Sequence, residues 1–394
     1  MLSSLENGIL TLLRNALKGE KQTLPSDFDF EIAYNFGKKH QIIPILYYGG
    51  AHLDALTKSE IGAHFLMSTM TLASYSEDQI REINALSKAF LDEGIEHLKL
   101  KGTVLKSLYP HPEMRLMSDS DILIKEEQED KIERIMKSLG YTFKVSSDHE
   151  WIWEKGKMTI ELHRRIIASY QKDFYAYFGN GWQLAKRAGD TSEYKMSLED
   201  EFVYLFTHLS KHYRDAGIGI KHFTDIYVFL NAHTDLDMEY IRATLKSLGL
   251  LTFFDNVLAV LKAWFDDGEV TPVVEFITAK VFDSGVYGSR LTEIKANALK
   301  ERNSGKKKSK IARLWTLIFP PYKNMCYIFP VLKKAPILLP FMWVFRWLKA
   351  IFTKKDRIEK AAKDLDTEVS SQVIDEYQYE LSYVGLDFYK EENK

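Results

Sequence analysis

The segment 98–121 has the sequence LKLKGTVLKSLYPHPEMRLMSDSD and contains the strongest local signals of the chain. Together with the three residues before it, its alternating start predicts a half-buried strand. Lys101-Gly102-Thr103 then breaks the alternation, and the spacing over 103–108 predicts a short helix closed by Tyr109-Pro110. Glycine lets a backbone approach an anion closely, and a helix start offers unpaired N–H groups. The turn therefore predicts a phosphate-binding site, to which Lys101 and Arg115 add positive charge.

The same stretch ends with Asp119 and Asp121, where the apolar run 121–124 predicts a buried strand. Side chains two residues apart on a strand point to one face, so the two carboxylates converge on one volume. Two like charges held close together are unfavourable without a cation, and Mg²⁺ is a hard ion that carboxylates bind. In the predicted strand 158–163, Glu161 shares a face with His163 and can supply a third acid to this volume. The arrangement predicts metal-assisted phosphoryl or nucleotidyl transfer.

Around this core the sequence predicts four regions of an α+β protein. Apolar stripes at helical spacing predict an N-terminal helical region over 1–92 and a second set of helices over 196–300. Between them, 93–195 predicts a small mixed sheet with two helices, whose strands are 95–100, 121–124, 141–145, 151–154 and 158–163, with a hairpin turn at 155–157. The last region, 301–394, predicts a basic linker followed by an aromatic-rich helical segment.

Composition narrows the partners and the compartment. The formal net charge of -2 gives no global attraction to nucleic acid or to an anionic membrane, so any such partner must be held by a local patch. The single cysteine, Cys326, cannot form an internal disulfide, and the N-terminus does not resemble a signal peptide, which favours a cytoplasmic protein. In the aromatic segment 327–352, the longest charge-free run, 335–345, is shorter than the ~20 residues of a spanning helix. We expect no integral span, with an interfacial helix as an alternative to internal packing.

The order of these motifs resembles the nucleotidyltransferases of the DNA polymerase β superfamily. In that superfamily a glycine turn opens a helix, Asp-x-Asp follows on a strand, and a third acid lies on a neighbouring strand. The chain looks most like an uncharacterised bacterial nucleotidyltransferase family with a Lys-Gly turn, an Arg before the Asp-x-Asp pair and an acid-x-His strand. The matching positions are Lys101-Gly102, Arg115, Asp119-Ser120-Asp121 and Glu161-Leu162-His163. The chain departs from the superfamily at Ser120, where an apolar residue is usual, and at Glu161, where Asp is commoner.

The resemblance implies a polymerase β-like core whose nucleotide cleft is closed by the helices of 196–300. Asp119 and Asp121 would hold two Mg²⁺ ions, with Mn²⁺ as an alternative, and Glu161 would bind the second ion. Nucleotide contacts are expected from Lys101, Gly102, Thr103, Arg115, Ser118, His163, Lys221 and Asp225. The implied reaction is attack by a hydroxyl group on the α-phosphorus of an NTP such as ATP, with release of pyrophosphate. The acceptor is a small molecule, a peptide or protein, or an RNA end.

Several side chains keep more than one interpretation. His163 either orients the substrate or closes its strand with a backbone hydrogen bond. His208 and His212 share a helix face and could in principle bind zinc, but no Glu follows the first in the H-E-x-x-H manner, which favours core or nucleotide-contact roles. The i, i+4 spacing of Lys221 and Asp225 is typical of a surface ion pair, although the resemblance also makes a role at the cleft conceivable.

Two further functions remain as alternatives to transfer onto an unspecified hydroxyl. One is a catalytically silent nucleotide-binding module, against which the intact acids argue. The other is a toxin-like enzyme that nucleotidylates tRNA, for which the basic run 306–310 is the only local support. The sequence chooses neither the base of the NTP nor the acceptor, and it leaves the oligomeric state open.

Overall fold

The computed structural model describes residues 2–304, 314–316, 318–329, 331–353 and 369–388. The N-terminal region and the sheet contain the helices α1 Ser4–Lys18, α2 Phe30–His40, α3 Ile43–Gly50, α4 Asp54–Thr57, α5 Glu60–Asp92, α6 Gly102–Leu105, α7 Glu129–Ser138 and α8 Lys172–Phe178. The strands are β1 His97–Lys99, β2 Ser120–Ile124, β3 Thr142–Ser146, β4 Glu150–Lys155, β5 Met158–His163, β6 Lys186–Arg187 and β7 Glu193–Lys195. The C-terminal helices are α9 Leu198–Asp215, α10 Ile220–Ala232, α11 Met238–Ser247, α12 Leu251–Phe265, α13 Pro272–Asp283, α14 Arg290–Asn303, α15 Tyr322–Ile328, α16 Val331–Lys334, α17 Leu339–Thr353 and α18 Ser371–Val384.

The seven strands form one mixed sheet in the order β3-β4-β5-β2-β1-β7-β6. Its centre is the parallel pair β2–β5, flanked by the antiparallel pairs β1–β2 and β4–β5. The sheet therefore matches the predicted α+β class, and all five predicted strands are present within a few residues of their expected bounds. The prediction missed β6 and β7, which are two and three residues long and polar, because such short strands carry no alternating apolar signal.

Helices pack on both faces of the central strands, because both faces carry apolar side chains. Ile122 and Ile124 of β2 point toward α5 and α7 and share a core with Leu86, Phe90 and Ile132. The opposite face of the same strand carries Leu123, which belongs to the larger core built by the C-terminal helices. Asp121 has the same parity as Leu123, so its carboxylate lies on the side of the sheet that faces those helices.

The helices begin where the sequence supplies caps. The hydroxyl groups of Ser59 and Ser197 accept hydrogen bonds from the backbone of the first turns of α5 and α9. The 33-residue helix α5 runs along one face of the sheet, whereas α9 and α10 bury phenylalanines on the other, among them Phe202, Phe206 and Phe223. Two sides of the sheet are thus held by helices that the apolar spacing predicted.

The aromatic C-terminal segment forms a small subdomain of its own. Helix α15 packs against β3, and a separate core of Met325, Cys326 and Leu332 joins α15 to the helices after it. Within the described ranges, no helix is both long and apolar enough to cross a membrane. The basic run 306–310 lies outside the described residues.

Candidate active site

Three neighbouring strands bring polar side chains to one patch of the sheet. In the parallel pair β2–β5, Asp121 lies opposite Glu161. His163 follows Glu161 by two residues on β5, and in the antiparallel pair β4–β5 it lies opposite Glu150. Directly opposed residues on neighbouring strands face the same side, so these four side chains form a row across the sheet. We refer to the row, with Asp119 immediately before β2, as the acidic row.

Asp121 is the most tightly held member of the acidic row. One of its carboxylate oxygens, Oδ1, accepts a hydrogen bond from His163 Nε2 at 2.7 Å and an ion-paired hydrogen bond from Lys101 Nζ at 3.1 Å. Burial alone would raise the pKa of Asp121, but Lys101 and His163 hold it well below its usual range. Burial likewise acts to lower the pKa of His163, and its bonds to Asp121 and Glu161 outweigh this and raise it to about 9.

Asp119 is in the opposite situation. Its carboxylate makes no hydrogen bond or ion pair with any residue that the structure describes. Burial, followed by the negative charges of Asp121 and Glu161, raises its pKa to about 6. The charges of Lys101 and Lys221 only partly offset this effect. A carboxylate crowded by two others, with no direct ion pair, is the kind of group that a divalent ion stabilises.

The acidic row contains donors suited to a metal ion. Ligand atoms of Asp121, Glu161 and His163 lie within 4.8 Å of one another, and the same is true of His149, Glu150 and His163. Asp119 belongs to neither group, so among the described side chains only two of the three predicted metal-binding acids are brought this close together. Carboxylate oxygens fit Mg²⁺ or Mn²⁺, and the unpaired Asp119 next to them supports this fit.

The predicted phosphate-binding turn has an unusual backbone. Lys101 has a positive φ of 44°, a value that L-residues rarely adopt, and α6 begins at Gly102 rather than at Thr103. A Cβ atom on Gly102 would come within 2.9 Å of the Met117 sulfur, so a larger residue there would require the Met117 side chain to shift. The hydroxyl of Thr103 is buried without a partner among the described residues. The turn lies beside Asp121, because the ammonium group of Lys101 binds the Asp121 carboxylate.

Arg115 and Asp225, both predicted as nucleotide contacts, bind each other. Arg115 Nε donates to Asp225 Oδ1 at 2.6 Å, and the same oxygen accepts from the Tyr109 hydroxyl at 2.7 Å. Both partners are almost completely buried. The pair therefore connects the loop before β2 with α10.

The surface ion pair expected between Lys221 and Asp225 is wrong. Lys221 is buried, and its ammonium donates to Gln41 Oε1 at 2.9 Å and to the Leu116 carbonyl at 3.1 Å. The spacing argument failed because α10 has protein on almost every side, so i, i+4 residues there do not face water. Burial, followed by repulsion from Arg115, lowers the pKa of Lys221 to about 7.

Ser118 and the two paired histidines lie at the edges of this region. Ser118 is exposed, and its hydroxyl contacts the hydroxyl of Tyr287. His208 and His212 are hydrogen-bonded through their Nε2 atoms at 3.1 Å, and burial lowers the pKa of both. Neither belongs to a three-residue metal group in the described part of the chain. His163 also differs from one expectation, because its ring bonds carboxylates rather than closing the strand through the backbone.

Sequence reasoning missed His149 and Glu150, although a signal was present. The hairpin turn at 155–157 pairs Lys155 with Met158, and counting back five residues on one strand and forward five on the other pairs Glu150 with His163. The register of a hairpin follows from its turn, so this pair could have been found from the sequence.

Comparisons with known proteins identify a family that the chain matches. A family described as "Uncharacterised nucleotidyltransferase" matches residues 26–266. A solution structure of antibiotic-resistance factor ANT(2'')-Ia and a crystal structure of ANT(2'')-Ia with adenylyl-2''-tobramycin are each 14% identical to the chain with a TM-score of 0.34. They cover 44% and 43% of this chain, which spans 93% and 97% of theirs. A search of curated proteins found no match. Since the family match extends over more than half of its length, the chain belongs to the uncharacterised nucleotidyltransferase family.

Proposed function

We propose that the protein is a metal-dependent nucleotidyltransferase that moves a nucleoside monophosphate from an NTP to a hydroxyl acceptor and releases pyrophosphate. The observation that carries the proposal is the pairing of Asp121 with Glu161 on adjacent parallel strands, with Asp119 just before them. Phosphoryl-transfer sites use such converging acids to hold metal ions against the nucleotide.

In this proposal Asp119, Asp121 and Glu161 hold two Mg²⁺ ions, with Mn²⁺ as the alternative. When bound, the ions neutralise phosphate charge and stabilise the negative charge that develops on the attacking and leaving oxygens. Asp119 supports the assignment because burial and its acidic neighbours raise its pKa to about 6 in spite of the charges of Lys101 and Lys221. A bound cation would relieve that repulsion and keep all three acids ionised.

The chain's own groups orient the reactants. Lys101 remains protonated, since its attraction to Asp121 outweighs its burial and raises its pKa, and it holds Asp121 together with His163. The turn from Lys101 to Thr103, together with Ser118 and Lys221, is assigned to the phosphates and sugar of the NTP. Arg115 and Asp225 are assigned to positioning, because their charged groups are engaged with each other.

Glu161 is the proposed acceptor of the proton from the attacking hydroxyl. Its side chain is 20% exposed and lies 3.6 Å from His163, whereas Asp121 is committed to two cations. A partly exposed carboxylate on the row can meet an incoming hydroxyl, and general bases typically contribute on the order of 10²–10⁴-fold to a rate.

The experiment uses each α-labelled NTP with Mg²⁺ and cell extract as the source of acceptor. Label transfer is compared between the natural chain and the double variant Asp119→Asn/Asp121→Asn. The control is Asp130→Asn/Asp235→Asn, which alters two exposed acids that do not belong to the acidic row. We expect transfer by the natural and control proteins and its loss in the double variant. Equal transfer by all three would refute the assignment of the two aspartates.

The same experiment distinguishes the alternatives. No transfer by any protein, with NTP binding intact, would favour a silent nucleotide-binding module. Label recovered in the RNA fraction would favour tRNA as the acceptor, whose local support, the basic run 306–310, lies outside the described residues. The proposed reaction consumes NTP, which the cytoplasm supplies, and we therefore propose a cytoplasmic location.

A further inference from the structure

Helix α17 and the turn before it present a stripe of large apolar side chains to solvent. Ile337 is 82% exposed, Phe341 68%, Phe345 53%, and Val344 and Leu348 50% each. Counted from the first of these, the spacings of four, seven, eight and eleven residues lie along one side of a helix. A contiguous exposed stripe of this kind marks an interaction surface, whereas single exposed apolar residues are ordinary. We call these five residues the apolar stripe.

The orientation of the apolar stripe is determined by the other side of the same helix. Met342 and Trp343 pack against the small core formed by Met325, Cys326 and Leu332. Two indole groups are bonded as well: Trp343 Nε1 donates to the Pro320 carbonyl at 3.0 Å and Trp347 Nε1 to the Ile318 carbonyl at 2.8 Å. Rotating the helix to bury the stripe would break these contacts. The stripe therefore faces outward because its helix is anchored, and within the described ranges nothing covers it.

The sequence on either side of the apolar stripe is strongly basic, and this charge indicates what covers the stripe. From Arg302 to Lys355 the sequence contains 13 lysines and arginines and no aspartate or glutamate. The remainder of the chain has 40 basic and 55 acidic residues. Its formal net charge is therefore -15, whereas that of this segment is +13. In the described part, Lys333 and Lys334 are exposed directly before the stripe. A concentration of charge this one-sided in a chain of net charge -2 points to an anionic partner.

We propose that the apolar stripe, together with Lys333, Lys334 and the basic sequence on either side, docks the protein on the surface of an anionic lipid bilayer. Interfacial helices of peripheral proteins combine these two features: apolar side chains enter the headgroup and acyl boundary while lysines and arginines meet anionic headgroups. Single-stranded nucleic acid is bound instead by aromatic rings that stack on bases within a basic groove. Ile337, Val344 and Leu348 can neither stack on a base nor form hydrogen bonds, so a hydrocarbon boundary suits them better.

The docking surface is joined to the sheet that carries the acidic row. The Tyr327 hydroxyl donates to Asp148 Oδ1 at 3.0 Å, and Lys323 Nζ lies 3.2 Å from the same oxygen. Asp148 immediately precedes His149 and Glu150, and α15 packs against β3. A protein held through α17 would therefore hold this edge of the sheet at the bilayer as well.

The test is flotation of the full chain with vesicles of phosphatidylcholine, with and without about 30% phosphatidylglycerol. The stripe variant is Phe341→Asp/Val344→Asp. Its matched control is Met67→Asp/Met70→Asp on α5, two apolar residues with the same spacing that are 68% and 62% exposed. The charge variant is Lys333→Glu/Lys334→Glu, matched by Lys21→Glu/Lys246→Glu at exposed positions elsewhere. All substitutions are at exposed sites, and circular dichroism verifies that each protein is folded.

We expect the natural chain and both controls to float with the anionic vesicles, and the stripe and charge variants to lose roughly tenfold or more in partition coefficient. Binding should also weaken when the ionic strength is raised from about 0.1 M to about 1 M. Absence of binding to anionic vesicles, or equal binding by the stripe variant and its control, would overturn the proposal. So would sedimentation in which the stripe variant dissociates a dimer of the natural chain, or RNA binding that is lost in the variants while vesicle binding is unchanged.

Discussion

Arg115 Nε lies 2.6 Å from Asp225 Oδ1, and this buried ion pair ties the loop that leads into the acidic row to helix α10. The two residues are 110 positions apart in the sequence. Asp225 also accepts a hydrogen bond from Tyr109, so one carboxylate oxygen holds two segments of the loop. The position of Asp119 and Asp121 relative to the C-terminal helices therefore depends on a contact that is distant from the acids themselves.

We predict that Asp225→Asn destabilises the protein by about 3–5 kcal/mol, because it leaves the Arg115 charge buried without its counter-ion. Urea unfolding measures the change. The matched control is Asp255→Asn, which breaks the ion pair with Arg242 at 43% and 47% side-chain exposure and should cost about 1 kcal/mol or less. Equal losses in both variants would contradict the structural role assigned to the buried pair.

For Glu161→Gln we expect kcat/KM to fall by on the order of 10²–10⁴, since a metal ligand and proton acceptor is removed while the side-chain shape is kept. The comparison is Glu154→Gln, a partly exposed acid of β4 that pairs with Lys144. Label transfer over a range of Mg²⁺ and Mn²⁺ concentrations provides the measurement. A Glu161→Gln protein with unchanged kcat/KM would remove Glu161 from the reaction.

NTP binding without divalent metal should weaken as pH rises through about 7. Burial, followed by Arg115, lowers the pKa of Lys221 to about 7, so its amine is charged below that pH and neutral above it. Only the charged amine attracts phosphate, and affinity should therefore fall by at most about tenfold per pH unit between about pH 7 and 9. Calorimetric titration of the natural chain, Lys221→Met and Lys221→Arg gives the measurement. The two variants should lack this component, and identical pH profiles in all three would rule it out.

The same shift has a consequence for stability. Between about pH 7 and pH 10.5 the unfolded chain binds a proton at Lys221 that the folded chain has released. Linkage then makes the contribution of this group to stability rise with pH over that window. Urea unfolding at pH 7 and pH 9 should therefore show a smaller stabilising effect of Lys221→Met at the higher pH. A larger effect at pH 9 would have the wrong sign.

At Lys101 we expect glycine to be tolerated better than alanine. Both substitutions remove the ion pair with Asp121, but alanine retains the strain of a positive φ of 44° whereas glycine relieves it. Lys101→Gly should thus be more stable than Lys101→Ala by about 1 kcal/mol in urea unfolding. Lys99 in β1 is the control, because glycine in a strand is the less stable choice and the order should reverse there. If the glycine variant were the more stable of the two at both positions, backbone strain at Lys101 would not be the cause.

Much of the candidate site follows from local patterns in the sequence. The alternating runs predicted the central strands, and strand parity predicted that Asp119, Asp121 and Glu161 would share one face. Asp121 does lie opposite Glu161, but Asp119 precedes β2 and stays outside the group whose ligand atoms are within 4.8 Å. The alternation of side chains along a strand predicts on which side of the sheet a residue lies, but it does not predict the distance between two carboxylates. That distance depends on the tertiary structure. The catalytic roles of these acids remain predictions.

Other contacts could not be predicted from the spacing of residues along the sequence. Lys221 and Asp225 were expected at the surface because i, i+4 charges usually lie there, yet α10 is enclosed and each residue has a partner from another region. The short strand β7, which pairs with β1 in parallel, was also missed. Such contacts depend on which segments the chain brings together from a distance, and a single sequence carries no periodic signal for them.

The amino-acid sequence alone was enough to predict the order of turn, strand, helix and strand and the face that Asp121 and Glu161 share. It also contains the hairpin register that pairs Glu150 with His163, although the prediction did not use it. Each of these is set by interactions between residues close along the chain, where backbone periodicity and turn geometry act. Only the tertiary structure decided that Arg115 is neutralised by Asp225, that Lys101 and His163 share one oxygen of Asp121, and that α17 faces outward. Those outcomes depend on burial, which removes water as an alternative partner and makes the choice of counter-charge a property of the whole fold.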